Sequence, residues 1–184
     1  MSTTLAAAVL LTSMRLVSSH AYADGAPPGF SGGFTQESCH ACHFHEAPNA
    51  APGRVTLQGV PATFAAGQRY TFTIALTRSG MKRAGFQLAS RFTDGGAQAG
   101  TLVPGPGEGE RVAIDNESGL QYAGQRLAGA DVGSADTAAW TVVWTAPDRG
   151  GAVTFHVAAN AANGDGTAEG DFVYTAIVES APPP

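Results

Sequence analysis

The sequence predicts an all-β chain, an immunoglobulin-like antiparallel β-sandwich preceded by a polar N-terminal loop. Three observations carry this. Five long segments alternate apolar and polar residues with period two, the pattern of strands with one buried and one wet face. Gly (24) and Pro (11) are plentiful while only 14% of residues are charged, which suits strands and tight turns better than helices. Eight or nine such segments, counted with shorter ones and divided by Gly/Pro/Asp turns, suit two sheets packed face to face. A closed barrel is the alternative architecture.

Taken in order, the 184 residues read as one domain behind a processing segment. Residues 1–23 have the features of an export signal: an apolar run from Leu5 to Leu11 and "AYA" (Ala21–Ala23) before Asp24. Against this, no Lys or Arg precedes the run and Arg15 follows it; the other reading is a poorly ordered N-terminal helix or a misplaced start. No Cys directly follows the cleavage site, so a lipoprotein anchor is not indicated, and no later segment approaches the ~20 apolar residues of a membrane span. The expectation is a soluble periplasmic or secreted protein with no transmembrane segment, in an oxidising compartment.

Residues 24–53 are rich in Gly, Pro and Ala and have no apolar period. From Arg54 to residue 180 the pattern is strand after strand. "QRYTFTIALT" aligns Tyr70, Phe72, Ile74 and Leu76, and "AGFQLASRF" aligns Phe86, Leu88 and Phe92. "AAWTVVWTAP" aligns Trp140, Val142 and Trp144, "GAVTFHVAAN" aligns Val153, Phe155 and Val157, and "GDFVYTAIV" aligns Phe172, Tyr174, Ala176 and Val178. Shorter strands are expected at 54–60, 100–103, 111–114 and 119–123, with a Pro-rich tail at 181–184 and no helix of normal length. A net charge of −5 without a Lys/Arg cluster argues against nucleic acid and anionic membranes as partners. Hydrolytic signatures are missing: there is no G-x-S-x-G elbow, no evident carboxylate pair and no phosphate-binding Gly loop.

The chemistry concentrates in "TQESCHACHFHEAP", which holds both cysteines and three of the five histidines. Cys39-His40-Ala41-Cys42-His43 is the C-x-x-C-H pattern of covalent haem c attachment. On one helical turn, residues three and four apart share a face. Cys39 and Cys42 can therefore form thioethers to one porphyrin while His43 reaches its iron. Three other readings stay open. A Cys39–Cys42 disulfide would close a very small loop and constrain little. A thiol redox pair normally starts a helix in a βαβ unit, which this sequence lacks. A zinc site would need a second Cys/His pair at the usual distance, and none is present.

The sixth iron ligand has two candidates and an open-site alternative. His40 and His45 lie too near His43 to cross to the far side of the haem. His156 shares its strand face with Thr154 and Ala158, opposite the core row. Met81, in "RSGMKRAGF", is the only Met left after signal removal. Two strong ligands leave iron to electron transfer, whereas an open position permits small-molecule binding or peroxidase-like chemistry.

A second polar cluster, "NAANGDGTAEGD", contains Asn160, Asn163, Asp165, Glu169 and Asp171. The register of a calcium loop with its closing Glu is absent, so a turn between the last two strands is expected ahead of a calcium site. "DNES" (Asp115–Ser118) reads as a turn that includes a glycosylation sequon, Asn116-Glu117-Ser118, relevant only to a eukaryotic secretory route.

With these residues laid out, the chain resembles the bacterial reelin-domain-like (Reeler, or choice-of-anchor V domain) exported proteins. The resemblance rests on "GAPPGFSGGFTQESCHACH", "KRAGFQLA", "WTVVWTAP" and "GAVTFHVAANAANGDGTAEGDFVYT", and spans nearly all of Gly25–Val178. It implies a Reeler-like sandwich over 54–180 with the 24–53 haem-attachment segment docked against it. It carries Cys39, Cys42 and His43 across as haem-attachment residues. The family usually has an aromatic residue in place of His156, and many members continue into a C-terminal anchor where this chain ends at "ESAPPP". The resulting expectation is an exported monohaem c-type cytochrome that exchanges single electrons with a redox partner protein. The rivals are a β-sandwich binding module with a structural Cys39–Cys42 pair, and an open-site haem peroxidase or gas-binding protein.

Overall fold

A computed structural model describes residues 22–132 and 136–182. The export-signal reading falls almost wholly on residues 1–21, outside the described residues. Among the described residues nine strands form: β1 (Arg54–Gln58), β2 (Arg69–Thr77), β3 (Arg83–Phe92), β4 (Thr101–Pro104), β5 (Val112–Glu117), β6 (Leu120–Gln125), β7 (Thr137–Thr145), β8 (Val153–Ala162) and β9 (Phe172–Ser180). They make two antiparallel sheets in a sandwich, ordered β1-β2-β7-β4 and β5-β6-β3-β8-β9. Every expected strand is present. Among the described residues the only helical pieces are two three-residue 3₁₀ turns, Cys39–Ala41 and Leu127–Gly129, and no helix is long and apolar enough to cross a membrane.

The core lies where the period-two rows meet. Phe72, Ile74 and Leu76 from β2 and Trp140, Val142 and Trp144 from β7 face Phe86, Leu88, Phe155 and Val157 from the other sheet, all essentially buried. Trp144 sits at the centre, with Phe72 stacked on it and Phe155 and Phe64 meeting it edge to face. Its indole N–H donates to Ala99 O at 2.9 Å, and that of Trp140 donates to Gly129 O at 2.8 Å, so neither ring leaves a buried donor unpaired.

One expectation fails. Alternation predicts a wet outer face on both sheets, yet on β6-β3-β8-β9 the outward row is buried too. Gln87 and Arg91 of β3, Tyr122 of β6, Ala158 and Asn160 of β8 and Val173 of β9 are each no more than 9% exposed. The cause is the aperiodic N-terminal segment, which lies across this face. Gln87 accepts from Phe30 N–H at 2.6 Å and donates to Pro27 O at 2.8 Å. Gln36 donates to the Tyr122 hydroxyl at 2.6 Å, and that hydroxyl also accepts from Arg91 at 2.7 Å. Asn49 binds the free edge of β9, donating to Val173 O and accepting from Thr175 N–H, both at 2.8 Å. Small residues let the segment lie flat, and hydrogen bonds rather than apolar periodicity hold it.

Candidate functional site

The Cys/His motif folds locally before it meets anything else. Ser38 stands extended ahead of the turn and its hydroxyl accepts from His40 N–H at 3.2 Å, the usual way to start a helical turn. Ala41 N–H then donates to Ser38 O (3.0 Å), and both Cys42 N–H (3.2 Å) and His43 N–H (3.0 Å) donate to Cys39 O. The bond spanning four residues brings Cys39, Cys42 and His43 to one side. All three line a single cleft of about 370 Å³. Its other walls are mainly apolar: Pro27 and Phe30 from the N-terminal segment, Ala84 and Phe86 from β3, and Leu127 from the second 3₁₀ turn.

Both cysteines are free thiols. Cys42 is exposed and Cys39 is half-buried. Burial pushes the Cys39 thiol up to about 12, with the Cys39 backbone pulling down and neighbouring Cys42 adding to the rise.

His43 is held from behind. Its Nδ1 lies 2.7 Å from Oδ2 of Asp171, whose side chain is only 2% exposed. An ionised carboxylate only accepts, so this contact suits the tautomer with its proton on Nδ1, which in a neutral ring leaves the Nε2 lone pair free; Asn160 Nδ2 also lies 3.2 Å from Nδ1. Asn160 donates to the same Oδ2 at 3.3 Å, and Asn163 N–H donates to Oδ1 at 3.0 Å. The other histidines of the motif are engaged elsewhere: His40 Nε2 meets Glu46 O at 3.0 Å, and His45 meets Glu169 at 3.4 Å while its ring packs edge-on against Phe172.

Asp171 and Asn160 are the site residues that sequence reasoning missed. Both belong to the polar cluster read as a turn, and the cluster divides in two. Asp165 organises its own loop, accepting from the backbone and hydroxyl of Thr167 (2.8 Å each) and from Asn163 (3.0 Å). These bonds, the Thr167 backbone first, lower its pKa. Among the described residues no three His, Cys, Asp or Glu side chains converge as for a metal ion. Asp171 instead turns inward to His43, 128 residues away. Only that long separation hid the pairing.

The proposed sixth ligands do not reach the cleft. Met81 is buried in the sandwich core. His156 does point outward from β8, as parity requires, but the N-terminal segment covers it: Gly33 lies on its ring and Phe34 meets it edge to face. It is four residues along β8 from Asn160, which lines the cleft, roughly 13 Å at the rise of a strand. Among the described residues His43 is the only His or Met in the cleft lining.

The donor set and the cleft suit a covalently attached haem. Two thiols and an imidazole share one wall of an apolar cleft, and buried Asn160 Oδ1, beside it, has no partner among the described residues. Tyr22, Phe44 and Leu127, three of the most exposed large apolar side chains, belong to the cleft or directly follow its motif.

No protein-family model and no curated protein matches the chain. Among solved structures, it is similar to the Reelin-N domain of F-spondin, with a TM-score of 0.50 and 15% identity over 79% of this chain and 98% of that one. It is also similar to a human F-spondin reeler domain (0.47, 15%, 73% and 92%) and to a cohesin module from a Clostridium perfringens family 33 glycoside hydrolase (0.49, 10%, 71% and 96%). Two antiparallel sheets in the same sandwich arrangement as the Reelin-N domain make this a reeler-like β-sandwich fold.

Proposed function

We propose that the chain is an exported protein that carries one haem c, attached through Cys39 and Cys42 with His43 as iron ligand, and that it exchanges single electrons with a redox partner protein. The observation that supports this best is the meeting of Cys39, Cys42 and the Asp171-anchored His43 on one wall of an apolar cleft. Attachment needs no oxidant. Each thiol adds across a vinyl double bond: sulfur bonds to one carbon and the thiol hydrogen goes to the other. Once bound, the haem supplies a one-electron iron couple. The chain positions the imidazole through Asp171, and the apolar walls limit water. The test is to express the protein with a haem-maturation system, denature it, and look for haem that stays with the polypeptide. Retention in the wild type and loss in C39A/C42A is the expected result. Haem that washes out of the wild type sinks the reading in favour of a binding module.

A second reading has its own support. Among the described residues His43 is the only His or Met lining the cleft, which supports a reading in which the chain would leave a haem with an open ligand position. An open-site haem protein would bind carbon monoxide in the reduced form without displacing a ligand, and a closed electron carrier would not.

A further inference from the structure

The geometry points to Asp171 as the positioning residue of His43: its carboxylate holds Nδ1–H, directs Nε2 toward the cleft, and makes that nitrogen an electron-rich ligand. This rests on the haem reading above. Proximal histidines need their second nitrogen anchored, because the anchor sets both the ring's orientation and its basicity. A backbone carbonyl can serve; a carboxylate adds a full negative charge behind the ring and so favours the oxidised iron.

Three features make Asp171 a fixed anchor rather than a passing contact. The Nδ1–Oδ2 distance of 2.7 Å is that of a strong charge-assisted bond. The carboxylate is buried at 2% exposure, where water cannot compete for it. Two further donors hold the carboxylate, Asn163 N–H at 3.0 Å on Oδ1 and Asn160 Nδ2 at 3.3 Å on Oδ2 beside the His43 bond, which restrains the group against swinging away from the ring. Asp171 immediately precedes β9, and Asn160 lies on the adjoining strand β8. The sandwich itself therefore carries the anchor, while the N-terminal segment brings the histidine to it.

The test uses D171N, which keeps an oxygen for the Asn163 N–H and removes the charge. In the haem-loaded protein, D171N is expected to favour the reduced form by tenfold or more, a rise in reduction potential of about 59 mV per tenfold for one electron. D171E should restore most of the difference. In the haem-free protein, the nitrogen–proton NMR correlation of His43 should show a strongly downfield Nδ1–H in wild type that is lost in D171N. Covalent haem retained with an unchanged potential in D171N overturns this inference and leaves the haem reading standing. Haem lost on denaturation overturns both. A haem-free wild type whose His43 proton sits on Nε2 also overturns the inference, and that measurement needs no variant to fold.

Discussion

Phe34 meets His156 edge to face, with ring centroids 5.1 Å apart and planes at 70°, and so seals the N-terminal segment onto the outward row of β8. The contact explains why a strand histidine on the non-core side of the sandwich is half-buried. It also leaves His156 Nδ1 buried without a partner among the described residues.

Acid should loosen this seal. Burial lowers the His156 pKa below its ordinary 6.5, Arg91 on β3 pushes the same way, and Glu179 on β9 opposes. Between the two pKa values the unfolded chain binds more protons than the folded one, so stability rises with pH there. Stability is therefore full above about pH 6.5, declines as the pH falls toward the folded value, and levels off beneath it. H156F keeps an edge contact with Phe34 and removes the titration. Urea midpoints measured at pH 7.5 and 5 should differ less for H156F than for wild type; equal differences would refute the assignment.

Gly33 has no room for a side chain. A Cβ there would overlap the His156 imidazole, and the residue is buried. G33A should destabilise the chain by about 1–3 kcal/mol, the usual range for overpacking. Combining it with H156A should recover part of that cost, because the truncated side chain vacates the space. Strictly additive losses in a double-mutant cycle would show that the two positions do not touch.

Tyr122 joins the two halves of the outer layer. Its hydroxyl accepts from both Gln36 of the N-terminal segment and Arg91 of β3. Arg91 is 6% exposed, forms no ion pair with a carboxylate among the described residues, and is flanked by the rings of Phe34 and Tyr122 at 5.3 and 5.8 Å. Y122F keeps the ring but strands two donors, one of them cationic, at an expected cost of about 1–3 kcal/mol. Limited proteolysis should then cut more readily between residues 24 and 50. Unchanged cleavage and unchanged denaturation would mean the hydroxyl does not hold the segment.

What could be read from the chain follows from the range over which each signal acts. Phe72, Trp140 and Phe155 fall into period-two rows because a strand's geometry is local, and the rows indicated a sandwich without any contact map. The turn holding Cys39, Cys42 and His43 is also local, since one hydrogen-bonded turn brings positions three and four apart together. Alternation states which residues share a face but not what covers that face, so the buried Gln87, Arg91 and Tyr122 gave no sign of their layer.

The sequence by itself determined the β-sandwich, its period-two strands and the C-x-x-C-H cluster, because each depends on residues adjacent or a few positions apart. Only the tertiary structure decided that Asp171 stands behind His43, that His156 is sealed under Gly33 and Phe34, and that Met81 lies in the core. The two pairings join positions more than a hundred residues apart, and strand order together with the docked N-terminal segment brings them together.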